Sequence, residues 1–275
     1  MQRLVAYSFY RSLFREARRT QKNGLALFSP LSSEEIVRKF GQGAFVNRSS
    51  DASSTALSAA ASVFQPGALS SAFILQLLSE LSLLQKEVLS SKDILAAVRL
   101  GFSKEKKDAA MAAGGLDAAL TALQALTRLR SLSDTYTSTV TSYQNILVKI
   151  SVTTSPVPGL PVSIQTAASH FPFAYRVKIE NIGKKKFQIV ARHWKFVDKS
   201  GKTIEVPKGS PRIVGHAPVL EPGQIFEYVS GVELRAPKGS MKGSLRVQII
   251  DAEEGSNDMN NQFDALVAET LLSQT

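Results

Sequence analysis

The sequence predicts an α+β multidomain chain: an N-terminal α-helical bundle, then a C-terminal antiparallel β-sandwich, then a short terminal helix. Three observations lead there. The chain has 275 residues, more than one core usually organises. Its composition changes near residue 150: Ala, Leu and Ser dominate before it, with only Pro30 and Pro66, whereas prolines crowd the stretch from Pro156 to Pro237 among Gly and Val. The apolar period changes with it, from about 3.6 to 2 residues.

In the first part the spacing predicts helices over about 2–21, 31–46, 68–100 and 104–132. Leu4, Phe9, Leu13 and Ala17 share one face of the first, with arginines largely on the others, and Gly24 stops it. Ser32 or Ser33 caps the second, where Glu34 and Glu35 suit the helix dipole. The polar stretch 49–62 reads as a loop or a weak helix. The third helix is apolar almost all round (Phe73, Leu77, Leu81), so other helices must cover it. Gly114-Gly115 is a candidate break in the fourth.

In the second part Ala174–Asn181 alternates as a half-buried strand, and Phe187–Val197 holds one or two more. Asp198–Lys202 is a hairpin turn, and Ile225–Val229 and Ser244–Ile250 continue the series. Short strands at that spacing argue a sandwich. Residues 258–273 read as an amphipathic helix capped by Asp258. The expected domains are therefore a helical domain at 1–150, a Pro-rich linker at 151–170, a sandwich at 171–251 and a tail with a helix at 252–275.

Charge and composition bound the function. The net charge is +10, and +7 of it lies in residues 1–150. This favours an acidic partner. With no cysteine and three histidines (His170, His193, His216), thiolate metal sites, disulfides and a cysteine nucleophile are excluded, and no metal site is expected. There is no Gly-x-Ser-x-Gly elbow and no Walker A pattern, so no catalytic residue is assigned and no enzyme is expected. No apolar run is long enough for a transmembrane helix. The basic, acid-poor start is of the kind that mitochondrial import uses. Lysines on loop tips, Lys184, Lys185 and Lys186 foremost, with Lys208 and Arg212, are candidate phosphate contacts to an anion or to RNA; the alternative is a solvated turn.

The blocks Phe173–Gly183, Arg192-His-Trp194, Val214–Gly223, Phe226–Gly231 and Pro237–Ser244 together resemble the ApaG domain family. That resemblance implies a fibronectin-III or immunoglobulin-like sandwich without catalytic machinery, used as an interaction domain. Bacterial members carry more glycine in the loop that here reads Lys208-Gly-Ser-Pro-Arg-Ile-Val-Gly215, so its phosphate-binding role stands beside a structured turn as alternatives.

The stretch Phe9-Tyr-Arg-Ser-Leu-Phe-Arg-Glu-Ala-Arg18, with Ile36–Arg48 behind it, resembles the LYR-motif family. The resemblance implies a three-helix bundle in the mitochondrial matrix that binds acyl carrier protein. Phe9, Tyr10, Arg11, Arg15, Arg18, Lys39, Phe45 and Arg48 would contact the partner, with charge-assisted bonds from the basic groups. Phe73, Leu77 and Leu81 would line a tunnel for the partner's 4'-phosphopantetheine acyl chain, the protein having no cofactor of its own. The large assembly expected for the sandwich is the mitochondrial ribosome and its ribosomal RNA first, a respiratory complex or ATP synthase second. The remaining alternative is a phosphate- or nucleotide-binding protein.

Overall fold

The computed structural model describes residues 11–12, 15, 25–26, 31, 33–46, 88–105, 134–157, 170–250 and 261–274. In chain order the elements are β1 (Leu25–Ala26), α1 (Ser33–Lys39), β2 (Gly43–Val46), β3 (Val88–Leu89), α2 (Ser91–Glu105), β4 (Tyr136–Tyr143), β5 (Ile146–Pro156) and β6 (Phe171–Asn181). They continue with β7 (Phe187–Asp198), β8 (Thr203–Pro211), β9 (Val219–Leu220), β10 (Ile225–Leu234), β11 (Lys238–Ile249) and β12 (Gln262–Ser273). The chain divides into two units, one of residues 1–30 and 49–133, the other of 31–48 and 134–275.

In the first unit, β1 pairs with β3 antiparallel. Helix α2 starts at a capping box: Ser90 N donates to Asp93 Oδ2 at 2.9 Å and Asp93 N to Ser90 Oγ at 3.2 Å. The expected helix over 68–100 thus gives way to a strand at 88–89 and a fresh helix start at 91. An N-terminal three-helix bundle is not seen in the described residues, which carry α1, α2 and helical Arg11, Ser12 and Arg15.

The second unit is the sandwich. One sheet has the order β2-β10-β6-β5-β4; the other runs β12-β11-β7-β8, with β9 also on β7. The strands form because their apolar residues alternate. Ile146, Val148, Ile150 and Val152 of β5 meet Phe187, Ile189, Trp194 and Phe196 of β7 in one core with Phe226, Tyr228, Leu245 and Val247. Burying each such side chain contributes ~1.5–3 kcal/mol. The turns follow from backbone chemistry: Gln144 and Asn145 both take positive φ (44° and 68°), the type I′ arrangement of a tight hairpin. In β7 the register against β8 shifts between Arg192 and Trp194, so Pro207–Gly209 bulge outward while Gly209 sits at φ 86°.

The sheets are fastened differently on their two flanks. Where β4 meets β12, Thr137 Oγ1 and Thr270 Oγ1 are 2.6 Å apart, Thr139 donates to the Leu266 carbonyl (2.7 Å) and Thr154 to the Leu271 carbonyl (2.6 Å). On the other flank the strap 31–46 adds to β10. Leu31 and Ile36 pack on Ala174 and Val229, which point away from the main core. This second apolar layer is why β6 is buried on both faces. The helix ends because Gly41 adopts φ 70° and donates its N–H to the Val229 carbonyl. Beyond it β2 pairs with β10 from Gly43–Tyr228 to Val46–Ile225.

Four expectations on layout change accordingly. The helix expected over 31–46 ends at Lys39, and 43–46 is an edge strand. The helical domain expected at 1–150 contains two sandwich strands, Tyr136–Tyr143 and the start of Ile146–Pro156, whose Thr, Val and Ile content favours extended backbone. The linker expected at 151–170 loses its first six residues to that same strand. The helix expected over 258–273 is strand β12: Phe263, Ala265 and Val267 alternate inward, and Thr270 and Leu272 resume the pattern after a bulge against Met241 and Gly243. An edge of unpaired β11 groups outweighs the helix propensity of Ala and Leu.

Candidate functional site

The lysine turn between β6 and β7 is built around Asn181, whose side chain is fully buried. Its Nδ2 donates to the Lys185 carbonyl (2.8 Å) and the Leu220 carbonyl (3.0 Å), and its Oδ1 accepts the Gly183 N–H at 3.0 Å. A Cβ at Gly183 would come 2.7 Å from the Leu147 backbone nitrogen, so the turn has no room for a larger residue. Lys184 and Lys185 stand exposed on this rigid frame, with Lys186 half-buried. The Asn181 backbone also donates to the Gln224 carbonyl at 3.0 Å, tying the turn to the start of β10.

A strained hairpin follows β8. Ile213 and His216 exchange backbone hydrogen bonds (2.6 and 2.8 Å), and the two residues between them, Val214 and Gly215, have φ of 49° and 83°. This is a type I′ turn with a β-branched residue where glycine is preferred. Arg212 is also left-handed, at φ 62°; its N–H donates to Val190, and its carbonyl accepts from Arg192 Nη1. Two such residues cost on the order of 1–2 kcal/mol each. Ile213, wholly buried, holds the hairpin against the core.

Beside the hairpin, Phe226 carries two aromatic neighbours. Phe45 of β2 meets it edge-on at a centroid distance of 5.4 Å, and His216 lies at 5.9 Å. Phe45 is 54% exposed and His216 is also exposed, while Phe226 is buried. Gly43 makes room for these ring contacts: a Cβ there would come 2.5 Å from the tip of the Phe226 ring.

Deeper in, Trp194 Nε1 and Tyr228 Oη are buried and neither has a hydrogen-bond partner among the described residues. Burial pushes the Tyr228 phenol well above its ordinary range, with the neighbouring Tyr175 adding to it; Arg192 and the nearby Trp194 N–H pull it part of the way back. Burial also raises the Tyr175 phenol, against Ser230 and Arg192. Neither tyrosine ionises near neutrality, so neither is poised for proton transfer.

The structure separates the residues the sequence had grouped as anion contacts. Lys208, on the Pro207–Gly209 bulge, reaches Asp264 at 2.7 Å, and Asp264 also binds Arg246 (2.6 Å). Partial burial pushes the Asp264 carboxyl up, but hydrogen bonds from Arg246 and Lys208 outweigh it and hold the group below its ordinary range. Lys208 is thus a structural cation, and Arg212 stands apart from it on the hairpin. His193, half-buried on β7 opposite the Pro207–Gly209 bulge, pairs with Glu205 at 3.0 Å.

Of the residues expected to hold a carrier protein, Lys39 faces the sandwich instead, 2.9 Å from Glu227 and 3.8 Å from Glu35, and Phe45 stands on an edge strand. Arg11 and Arg15 are helical and exposed. Phe9, Tyr10, Arg18 and Arg48, and the tunnel residues Phe73, Leu77 and Leu81, lie outside the described residues. Among the described residues no His, Asp or Glu cluster of metal-binding kind occurs, and no helix is long and apolar enough to cross a membrane. Sequence reasoning missed Asn181, Phe226 and Asp264; the Gly183 two residues after Asn181 was the available sign of a constrained turn.

Comparison with known proteins matches a region that begins inside the sandwich. The ApaG domain model matches residues 162–249. Protein ApaG of Nitrosospira multiformis is 39% identical over 114 residues, 42% of this chain and 82% of that protein. Protein ApaG of Methylocella silvestris is 37% identical over 112 residues, 41% of this chain and 84% of that protein. A crystal structure of a Bordetella pertussis ApaA protein is 31% identical, covers 48% of this chain and 97% of that one, and superposes with a TM-score of 0.40. These relatives are bacterial, which overturns the expected mitochondrial matrix location. The mitochondrial ribosome, respiratory-complex and ATP-synthase roles depended on that location and go with it. The expected LYR-motif kinship and carrier-protein docking find no support either. The arginine-rich start is a weak signal, because short basic-aromatic helices recur by chance. The sandwich blocks read in the sequence, the strands that carry them and the matched relatives agree: the chain belongs to the ApaG family.

Proposed function

We propose that the protein is a non-catalytic binding protein whose sandwich holds the phosphate backbone of an RNA at the Lys184–Lys186 turn. One observation carries the reading: three consecutive lysines are presented on a turn that the buried Asn181 fixes through three hydrogen bonds. A turn with a fixed backbone presents the three lysines together without further folding, and the release of condensed counterions then favours binding. The chain's net charge of +10 acts in the same direction. A small phosphate ligand in the 208–215 loop is the weaker alternative, because Lys208 is engaged by Asp264.

Anisotropy of a labelled single-stranded RNA tests the proposal. Lys184→Glu with Lys186→Glu should weaken binding about tenfold or more at low salt. It should also flatten the log affinity–log salt slope by about 1.4, two phosphate contacts at ~0.7 each. An unchanged affinity and slope would assign the lysines to solvent, and binding of an acidic protein in place of RNA would change the partner class.

A further inference from the structure

The flank that carries the lysine turn also displays aromatic surface with no role in the core. Phe45 is more than half exposed although it is a large apolar residue, and His216 is also exposed; each ring meets the buried Phe226. Hydrophobic collapse alone would turn such a ring inward. The backbone holds it out: β2 is paired to β10 on each side of Phe45, and Gly43 gives the Phe226 ring room beneath it. His216 is held by the Ile213 bridge, and Arg212 leaves the same hairpin with its side chain exposed.

These pieces adjoin the lysine turn. Asn181, which braces the lysines, is hydrogen-bonded to Gln224, two residues before Phe226. Three residues after His216, Val219 pairs with Gln188, two residues beyond Lys186. Exposed rings near a cluster of cations are what an unpaired base and its phosphates require: every base has a π-face, and stacking tolerates any sequence. A duplex keeps its bases inside and offers no such face.

We propose that Phe45 and His216 form a stacking platform for an unpaired base, with Arg212 meeting an adjoining phosphate. The ligand is single-stranded RNA. The inference rests on the RNA reading above and deepens it. It also gives the strap a role, because Phe45 lies outside the residues 162–249 that match the family and reaches the site only through β2.

The test sets two probes side by side on the full chain: oligouridine, and inorganic polyphosphate of matched charge, which has no bases. Phe45→Ala and His216→Ala should each weaken oligouridine about fivefold or more, as loss of one stacked base does. They should leave polyphosphate binding and the salt slope unchanged, and Phe45→Trp should keep oligouridine affinity. Near-ultraviolet circular dichroism of the single Trp194 confirms that each variant is folded. If both probes weaken equally, or oligouridine is unaffected, the platform is wrong while the lysine variant still tests the RNA reading. If the wild-type chain binds polyphosphate but not oligouridine better than its charge explains, stacking is also excluded. If it binds neither probe, both readings fall together.

Discussion

The two flanks of the sandwich solve the same problem with opposite chemistry. At the β4–β12 flank, threonine hydroxyls bridge the sheets, and the contacts are short, neutral and mutually satisfied. At the β10 flank the closure is an apolar plug, a strained hairpin and a strap, with aromatic and cationic side chains left facing water. The difference teaches where to look for binding. Polar groups that satisfy one another hold a fold together and offer little to a partner, whereas strain and exposed apolar surface persist only where the surrounding structure overdetermines them.

The largest test of that contrast is Ile213→Ala. Ile213 is fully buried and anchors the hairpin, so urea unfolding should show a loss of about 2–4 kcal/mol. A loss under about 1 kcal/mol would mean the hairpin is not what closes this flank. On the opposite flank Thr270→Val removes the hydroxyl of a fully buried residue from a part-buried 2.6 Å contact and should cost about 1–2 kcal/mol. Asp264→Asn tests the Lys208 clamp that crosses between the flanks, and about 1 kcal/mol is expected at neutral pH. Because the folded Asp264 pKa is depressed, its contribution is fully present above the unfolded value of ~3.9 and is lost as pH falls through the folded value. The acid limb of a stability–pH profile should therefore be shallower in the variant, and an unchanged limb would remove the clamp. The smallest effect has the other sign: Tyr228→Phe deletes a hydroxyl with no hydrogen-bond partner among the described residues and should leave thermal stability equal or slightly raised. A clear loss would reveal a bond that the Tyr228 hydroxyl makes.

The strands β6 and β7 were legible because their sequences alternate; β7 is buried on the face this predicts, whereas β6 is buried on both faces at several positions because the strap covers its outer side. The strap was not, since four residues from Gly43 to Val46 say nothing alone about a partner at 225–228. Gly41 and Gly43 did mark the end of helix α1, and only the expectation of a longer helix hid them. Strand β12 misled for a different reason: its Ala and Leu residues prefer helix, and only the waiting edge of β11 decides otherwise. In the site, the run Lys184–Lys186 was readable as charge, but its rigidity depends on Asn181 reaching Leu220, a contact between distant positions. Phe45 is visible as an aromatic residue, but its exposure on an edge strand is not, because which side of such a strand is wet is set by the whole sheet.

The pairing of β2 with β10 has a consequence for the order in which the molecule is made. Val46 is synthesised on the order of 180 residues before its partner Ile225, which at about 5–20 residues per second is on the order of 10 to 40 s. Through that interval Leu31 and Ile36 lack the Ala174 and Val229 on which they pack, so β2 is the last strand of its sheet to find its place. Phe45 belongs to that strand, and the base-stacking platform therefore comes into being only when translation of the sandwich is nearly finished.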